Sequence, residues 1–178
     1  MDKLIKIAVT GPESTGKSIL SQQLADHYNT IWVPEFARIY LLNIERRYHY
    51  DDILEIAKGQ AESAKILATL AHKILISDTE LLVTKIWCDV KFGKCHSWIA
   101  EQLFRQKYDL YLLMDIDLPW VFDPMREDPG NRGFLMNRYL EELNRLGFNY
   151  RIVSGVGADR LKNAIGYINE MILNKFTL

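Results

Sequence analysis

Short apolar runs alternate along this chain with longer stretches in which apolar positions recur every three or four residues. The runs Leu4–Thr10, Thr30–Val33, Lys73–Ser77, Leu110–Met114 and Tyr150–Val153 are brief and rich in Ile, Leu and Val, and predict five β-strands, the second stopped by Pro34. Helical spacing is clearest over Lys17–Tyr28, with Ile19, Leu20 and Leu24 apolar. It returns after Asp51, an expected N-cap, where Ile53, Ile56, Ala57, Ala64, Leu67 and Ala71 form a stripe to about His72. Further helices are predicted over Leu81–Lys91, Ser97–Gln106 and Phe134–Leu146, the last closed by Gly147 as C-cap. Leu161, Ala164, Ile165, Ile168, Met171 and Ile172 put one apolar face on a final helix. Strands alternating with helices predict βα units around a mostly parallel sheet, an α/β fold.

With 178 residues and no repeat, low-complexity tract or linker, one domain over 1–178 is expected. Lys and Arg number 22 and Asp and Glu 23, so the net charge of -1 gives no basic face for nucleic acid, and a small-molecule partner is expected. Cys88 and Cys95 with His96 alongside fall short of a zinc ligand set and read as reduced thiols. The N-terminal "MDKLIKIAVTG" lacks the features of a signal peptide, and no run approaches the roughly 18 apolar residues of a membrane span. A cytoplasmic protein without a membrane partner is the expectation, and the oligomeric state is open.

The chemistry begins at "GPESTGKS", which fits G-x-x-x-x-G-K-[ST] and sits between a predicted strand and a predicted helix. In such a loop Gly11 and Gly16 let the backbone wrap until its N–H groups face phosphate oxygens, with Pro12, Glu13, Ser14 and Thr15 forming the turn between them. The helix N-terminus adds a positive dipole end. Lys17 neutralises the outer phosphates, and the Ser18 hydroxyl suits a Mg²⁺ ion. The fold class narrows to a P-loop NTPase, a three-layer α/β/α sandwich with a five-stranded sheet, binding a nucleoside triphosphate with Mg²⁺.

Asp78, at the end of the "KILIS" strand, is placed either to reach that metal or to cap the helix beginning near Glu80, and the two roles are compatible. "VPEFAR" brings Glu35 and Arg38 past the second strand, to the crevice at the strands' C-terminal ends where ligands of open α/β sheets bind. Glu35 there is a proton acceptor for a substrate hydroxyl, or simply the solvated start of a helix. Residues 115–133, "DIDLPWVFDPMREDPGNRG", read as a mobile lid or an ordinary surface loop; as a lid, its Arg126 and Arg132 would close on a triphosphate and exclude water. Trp32, Phe36, Trp87 and Trp120 are candidates for stacking on a flat ring, or for the core. Arg38, Arg46 and Arg47 are the residues that would hold an acceptor already carrying a phosphate. The turn "SGVGADR", Ser154–Arg160, is expected beside the nucleobase, with Arg160 stacking on it or capping a helix.

In that order "GPESTGKS", "PEFAR", "ISDT" and "DLPWVFDPMR" resemble the ribosylnicotinamide kinase domain of NadR-type proteins, over nearly the whole chain. The resemblance implies ATP- and Mg²⁺-dependent phosphorylation of the ribose 5′-hydroxyl of nicotinamide riboside, giving nicotinamide mononucleotide. It places Gly11 to Ser18 on ATP, Glu35 and Arg38 toward the nucleoside with Phe36, Trp120 and Asp123 on the same side, Asp78 and Ser18 on the metal, and Arg126 in the lid. Lys17, Glu35, Asp78 and Arg126 are thus the expected catalytic set. The chain departs from the family where Asp123-Pro124-Met125-Arg126 replaces an Asp-Gly-Leu-Arg stretch, and where Pro34 stands in place of an aromatic residue. The adenylyltransferase domain that such proteins often carry is not in this sequence, so any second step is expected of another protein.

Overall fold

The structure, a computed structural model, describes residues 4–126 and 130–176; residues 127–129, inside the expected lid, lie outside it. In chain order the elements are β1 (Ile5–Thr10), α1 (Lys17–His27), β2 (Trp32–Val33), α2 (Phe36–Asn43), α3 (Tyr50–Ala68), β3 (Ile74–Asp78), α4 (Leu81–Phe92), α5 (Ser97–Arg105), β4 (Leu110–Met114), α6 (Arg132–Leu146), β5 (Tyr150–Val153) and α7 (Ala158–Phe176). The strands form one sheet in the order β2-β3-β1-β4-β5. Every pairing is parallel, with Ile7 opposite Ile76 on one side and Leu110 on the other.

Strand alternation sorts the core into two layers. Ile5, Ile7 and Val9 with Ile74, Ile76, Leu112 and Met114 pack against Leu20 and Leu24 of α1 and Ala164 and Ile168 of α7. Ala8, Tyr111 and Leu113 face the other way, onto Ile53 and Ala57 of α3, Leu82 and Ile86 of α4, Ile99 and Leu103 of α5, and Tyr139 and Leu143 of α6. Central parallel strands covered on both faces read as continuous apolar runs, which is why β1, β3 and β4 were conspicuous. Among the described residues no helix is long and apolar enough to cross a membrane.

Three local expectations change. The sheet is parallel throughout rather than mostly so. Helix α3 starts two residues earlier than an Asp51 cap implies. Its N-cap is His49, whose backbone N–H donates to Asp52 Oδ2 at 2.6 Å, and Asp51 lies inside the first turn. Asp52 also accepts from both terminal nitrogens of Arg46 and from the Tyr40 hydroxyl, and the Arg46 guanidinium holds its carboxyl well below the usual carboxylate range. The short helix α2 follows β2 directly, so Glu35 does open a helix.

The cap of α4 is Glu80, not Asp78. Glu80 Oε2 accepts from Leu82 N at 2.6 Å and Oε1 from the Thr10 hydroxyl at 3.1 Å, tying the helix start to the end of β1. This carboxyl is 2% exposed, and burial pushes it up from 4.5 to about 7, against the pull of the Leu82 N–H and the Thr10 hydroxyl.

Because the folded-state value lies above the unfolded one, the native protein keeps a proton that the unfolded chain releases. This group's contribution is therefore complete below about pH 4.5 and is lost as pH rises to about 7. Glu80→Gln keeps an acceptor for Leu82 and cannot ionise. It should match the wild type in acid and exceed it above neutrality by on the order of 2–3 kcal/mol, as read by urea unfolding across pH. A stability difference that stays flat with pH would show that burial does not oppose the charge at Glu80.

Candidate active site

The loop leaving β1 is built from left-handed residues: Gly11 at φ 129°, Ser14 at φ 56° and Gly16 at φ 79°. A Cβ on Gly11 would sit 3.1 Å from both the backbone N and O of Met114, so the loop leaves the sheet in contact with β4. Gly16 caps α1 with no side-chain bond, which leaves first-turn N–H groups of that helix for a ligand. The loop's carbonyls are taken: Thr15 Oγ1 donates to Pro12 O at 2.8 Å, and Lys17 Nζ to Gly11 O at 3.0 Å and Pro12 O at 2.7 Å. Burial lowers the Lys17 ammonium from its ordinary value, while the carboxylates of Glu35, Asp78 and Glu13 oppose that fall.

Arg160 neither caps a helix nor presents an open face to a base. It is 5% exposed and donates from Nε to Gly155 O at 2.7 Å, from Nη1 to Thr15 O at 3.0 Å and from Nη2 to Asp117 Oδ1. Asp117 Oδ2 in turn accepts from Gly155 N at 2.6 Å. One ion pair thus joins the P-loop, the root of the lid segment and the turn after β5.

Asp78 is buried at the end of β3, and among the described residues its Oδ1 has no hydrogen-bond partner. The Ser18 hydroxyl lies within bonding reach of the carboxylate. Burial pushes Asp78 up to about 6, Glu35 adds to the rise, and Ser18, Lys17 and Arg38 oppose it. A buried, incompletely bonded carboxylate beside a hydroxyl at the end of a P-loop is a donor set that suits Mg²⁺.

Glu35 is the N-cap residue of α2 but makes no capping bond with its side chain, and it lines a cavity of about 260 Å³ together with the whole stretch from Gly11 to Ser18. Away from the phosphate loop the cavity runs between α2, α3, α4 and α6, where Leu41, Tyr48, Val83, Trp87, Met125 and Tyr139 form its walls. Trp87 Nε1 donates to the Tyr48 hydroxyl at 3.1 Å, fixing the edge of its ring.

The lid segment lies over the loop, with Ser14 as its anchor. Ser14 Oγ accepts from Val121 N at 2.9 Å and from Arg126 Nη1 at 3.3 Å; Arg132 Nη1 reaches Ser14 O at 3.4 Å and Leu118 O at 2.7 Å. Arg38 lines the cavity and bonds Asp123 at 2.8 Å, joining α2 to the lid.

Of the expected substrate-side residues, Glu35 and Arg38 face the cavity, while Phe36, Trp120 and Asp123 are not among its lining residues. The Phe36 ring rests on Gly59 of α3, where a Cβ would fall 2.1 Å from it. Trp120 instead faces the Arg126 guanidinium, 6.0 Å from its ring centroid. Asp123 is taken by Arg38 and by Met125 N. Trp32 packs in the core layer beneath α1, and Arg46 is committed to Asp52, so of the three arginines proposed for a phosphorylated acceptor Arg38 alone lines the cavity among the described residues. Tyr48, Met125, Tyr139 and Gln60 were missed. Gln60 carried a readable signal, a polar residue at a stripe position of α3 three residues after buried Ala57.

Residues 6–160 match the family described as AAA domain. Over 173 residues the chain is 31% identical to the trifunctional NAD biosynthesis/regulator protein NadR of Salmonella typhimurium, a match covering 93% of this chain and 42% of that protein. The chain therefore spans less than half the length of that relative. A crystal structure of NadR protein in complex with NR superposes with a TM-score of 0.82 at 22% identity, over 94% of this chain and 51% of that one. Thymidylate kinase from Ehrlichia chaffeensis superposes with a TM-score of 0.66 at 14% identity, over 94% of this chain and 98% of that one.

Gly11→Ala tests the loop geometry. The left-handed backbone and the Met114 contact should cost about 1–3 kcal/mol, melting should fall by several degrees, and affinity for a nucleoside triphosphate should drop at least about tenfold. Unchanged melting and unchanged triphosphate affinity would overturn the described approach of loop to β4.

Proposed function

The chain belongs to the AAA-domain family of P-loop proteins, and from that premise we propose that it transfers the terminal phosphoryl group of ATP to the ribose 5′-hydroxyl of a nucleoside, with nicotinamide riboside the favoured acceptor. The observation that carries this reading is one continuous cavity with the P-loop and Glu35 at one end and aromatic walls from Tyr48, Trp87 and Tyr139 farther in. A hydrolase needs room for a water molecule. A cavity extended along α4 gives an acceptor both a place for its hydroxyl and a place for a flat ring.

In this reading Lys17 and the first turn of α1 hold the triphosphate. Glu35 accepts the proton from the nucleoside hydroxyl as its oxygen attacks the γ-phosphorus; the bond to the bridging oxygen breaks and ADP leaves. Ser18 and Asp78 would hold Mg²⁺, which when bound supplies positive charge against the phosphate oxygens. Arg126 and Arg132, already over Ser14, supply further donors as the lid settles. Likeness to NadR, one structure of which is described as a complex with NR, supports nicotinamide riboside among nucleosides. A nucleoside monophosphate is disfavoured because Arg46 is already bound to Asp52.

An acceptor screen with ATP and Mg²⁺ across nucleosides and nucleotides tests the proposal. Transfer to nicotinamide riboside is expected, and Glu35→Gln should slow it by about 10²–10⁴-fold with the fold intact. Substantial ATP turnover without any acceptor would sink the kinase reading.

Arg126→Ala should lower kcat while leaving ATP affinity nearly unchanged, the pattern of a contact made mainly in the transition state. An unchanged kcat, or a loss confined to ATP affinity, would reduce Arg126 to a ground-state contact.

A further inference from the structure

We propose that Gln60 of α3 is a positioning residue that holds the two carboxylate-bearing segments, Glu35 at the start of α2 and Asp78 at the end of β3, in their working arrangement, an inference that rests on the phosphoryl-transfer reading above. Gln60 is 4% exposed and spends its whole amide on backbone: Oε1 accepts from Phe36 N at 2.7 Å, and Nε2 donates to Asp78 O at 3.4 Å and Thr79 O at 3.3 Å. Phe36 is the residue after Glu35. One side chain therefore bonds within one residue of both carboxylates, from a third element.

Chemical complementarity makes Gln the fitting residue. The site offers one N–H and two carbonyls, and a primary amide has one acceptor oxygen and two donor hydrogens. Leu or Met would fill the space and satisfy none of the three groups. Glu would keep the bond to Phe36 but turn an oxygen toward two carbonyl oxygens. Neighbouring stripe positions Ile53, Ile56 and Ala57 are buried and apolar, so an amide at this place costs desolvation that only full bonding offsets.

These bonds also bear on what the carboxylates are free to do. An N-cap residue ordinarily bonds its side chain to its own helix. Glu35 does not, and the side-chain bond at the start of α2 is made by Gln60, to the N–H of the first helical residue. Asp78 is likewise relieved of capping α4, since Glu80 does it. Between Asp78 and Glu80, Thr79 sits at φ 67°, a strained conformation for a β-branched residue. It is held by its N–H to Val9 O at 3.0 Å and by Gln60 at its carbonyl. Releasing the Gln60 bonds would let this turn relax and carry Asp78 with it.

The test uses the full chain with Gln60→Met and the isosteric Gln60→Glu. Calorimetry with a non-hydrolysable ATP analogue, with and without Mg²⁺, reads the metal-assisted part of binding; steady-state kinetics with the acceptor the wild type uses reads kcat and KM. Both variants should keep metal-free analogue affinity near the wild-type value, lose about 10–100-fold in the tightening that Mg²⁺ brings, and lose about 10–100-fold in kcat with little change in KM for the acceptor. Gln60→Met placed on Glu35→Gln should cost less than on the wild type, because both changes damage one arrangement. Wild-type Mg²⁺ dependence and kcat in either folded variant would overturn the proposal. So would a loss spread equally over metal-free binding, KM and kcat, or one that multiplies in full with Glu35→Gln. Calorimetry needs no acceptor, so failure of the phosphoryl-transfer reading would appear as an inactive wild type while the Mg²⁺ comparison still judges Gln60.

Discussion

A P-loop works only if its backbone N–H groups are left for a ligand, so its carbonyls must be satisfied by something else. That constraint organises the phosphate-loop end of this protein. Gly11, Pro12, Ser14 and Thr15 each contribute a carbonyl, and these accept from Lys17, from Lys17 and the Thr15 hydroxyl, from Arg132 and from Arg160 in turn. Left-handed residues at 11, 14 and 16 turn the peptide planes this way. The donors come from α1, from the start of α6 and from α7, so the loop's shape is fixed by the whole sandwich and not by its own sequence.

The same separation governs the acidic residues. Buried carboxylates are costly unless paired or hydrogen-bonded, and most here are. Asp52 is held by Arg46, Tyr40 and His49; Glu142 by Lys85 and Arg145; Glu80 by Thr10 and Leu82. At Asp78, also buried, Oδ1 has no hydrogen-bond partner among the described residues. Its neighbours carry the structural work that it would otherwise do.

Much of this was readable from the sequence because strands covered on both faces leave unbroken apolar runs, and because a loop with glycines at fixed offsets leaves few geometric alternatives. The three central strands and the phosphate loop fall in that class, while the edge strands β2 and β5 are shorter and partly exposed. What was hidden depended on contacts distant in sequence. Phe36 looked like a ring for the acceptor, but Gly59 opens a seat for it on α3, 23 residues later. Arg46 looked available to a phosphate until Asp52 turned out to take both of its terminal nitrogens. Asp51 lost the cap to His49 because Asp52, one place further on, is the residue that reaches back. Such choices between adjacent polar residues turn on a rotation of one helix position, finer than any periodicity fixes.

The partners of the cations separate structural from functional roles. Arg46, Lys85, Arg145 and Arg160 rest on carboxylates, Lys85 and Arg160 as mostly buried cations, Arg46 and Arg145 about half exposed on buried acids. Lys17, Arg126 and Arg132 rest on neutral oxygens instead, each with one bond of 2.6–2.7 Å and one of 3.0–3.4 Å. A phosphate oxygen adds a full negative charge as acceptor and, toward an arginine, a second oxygen for a bidentate bond. A phosphate therefore competes more readily for Lys17, Arg126 and Arg132, whose partners are neutral, than for the four cations already on carboxylates. Arg38 is paired as well, with Asp123, and like Arg46 and Arg145 the arginine itself is about half exposed. This ion pair ties the start of α2, where Glu35 sits, to the segment that carries Arg126, and its exposed arginine makes the tie cheap to break.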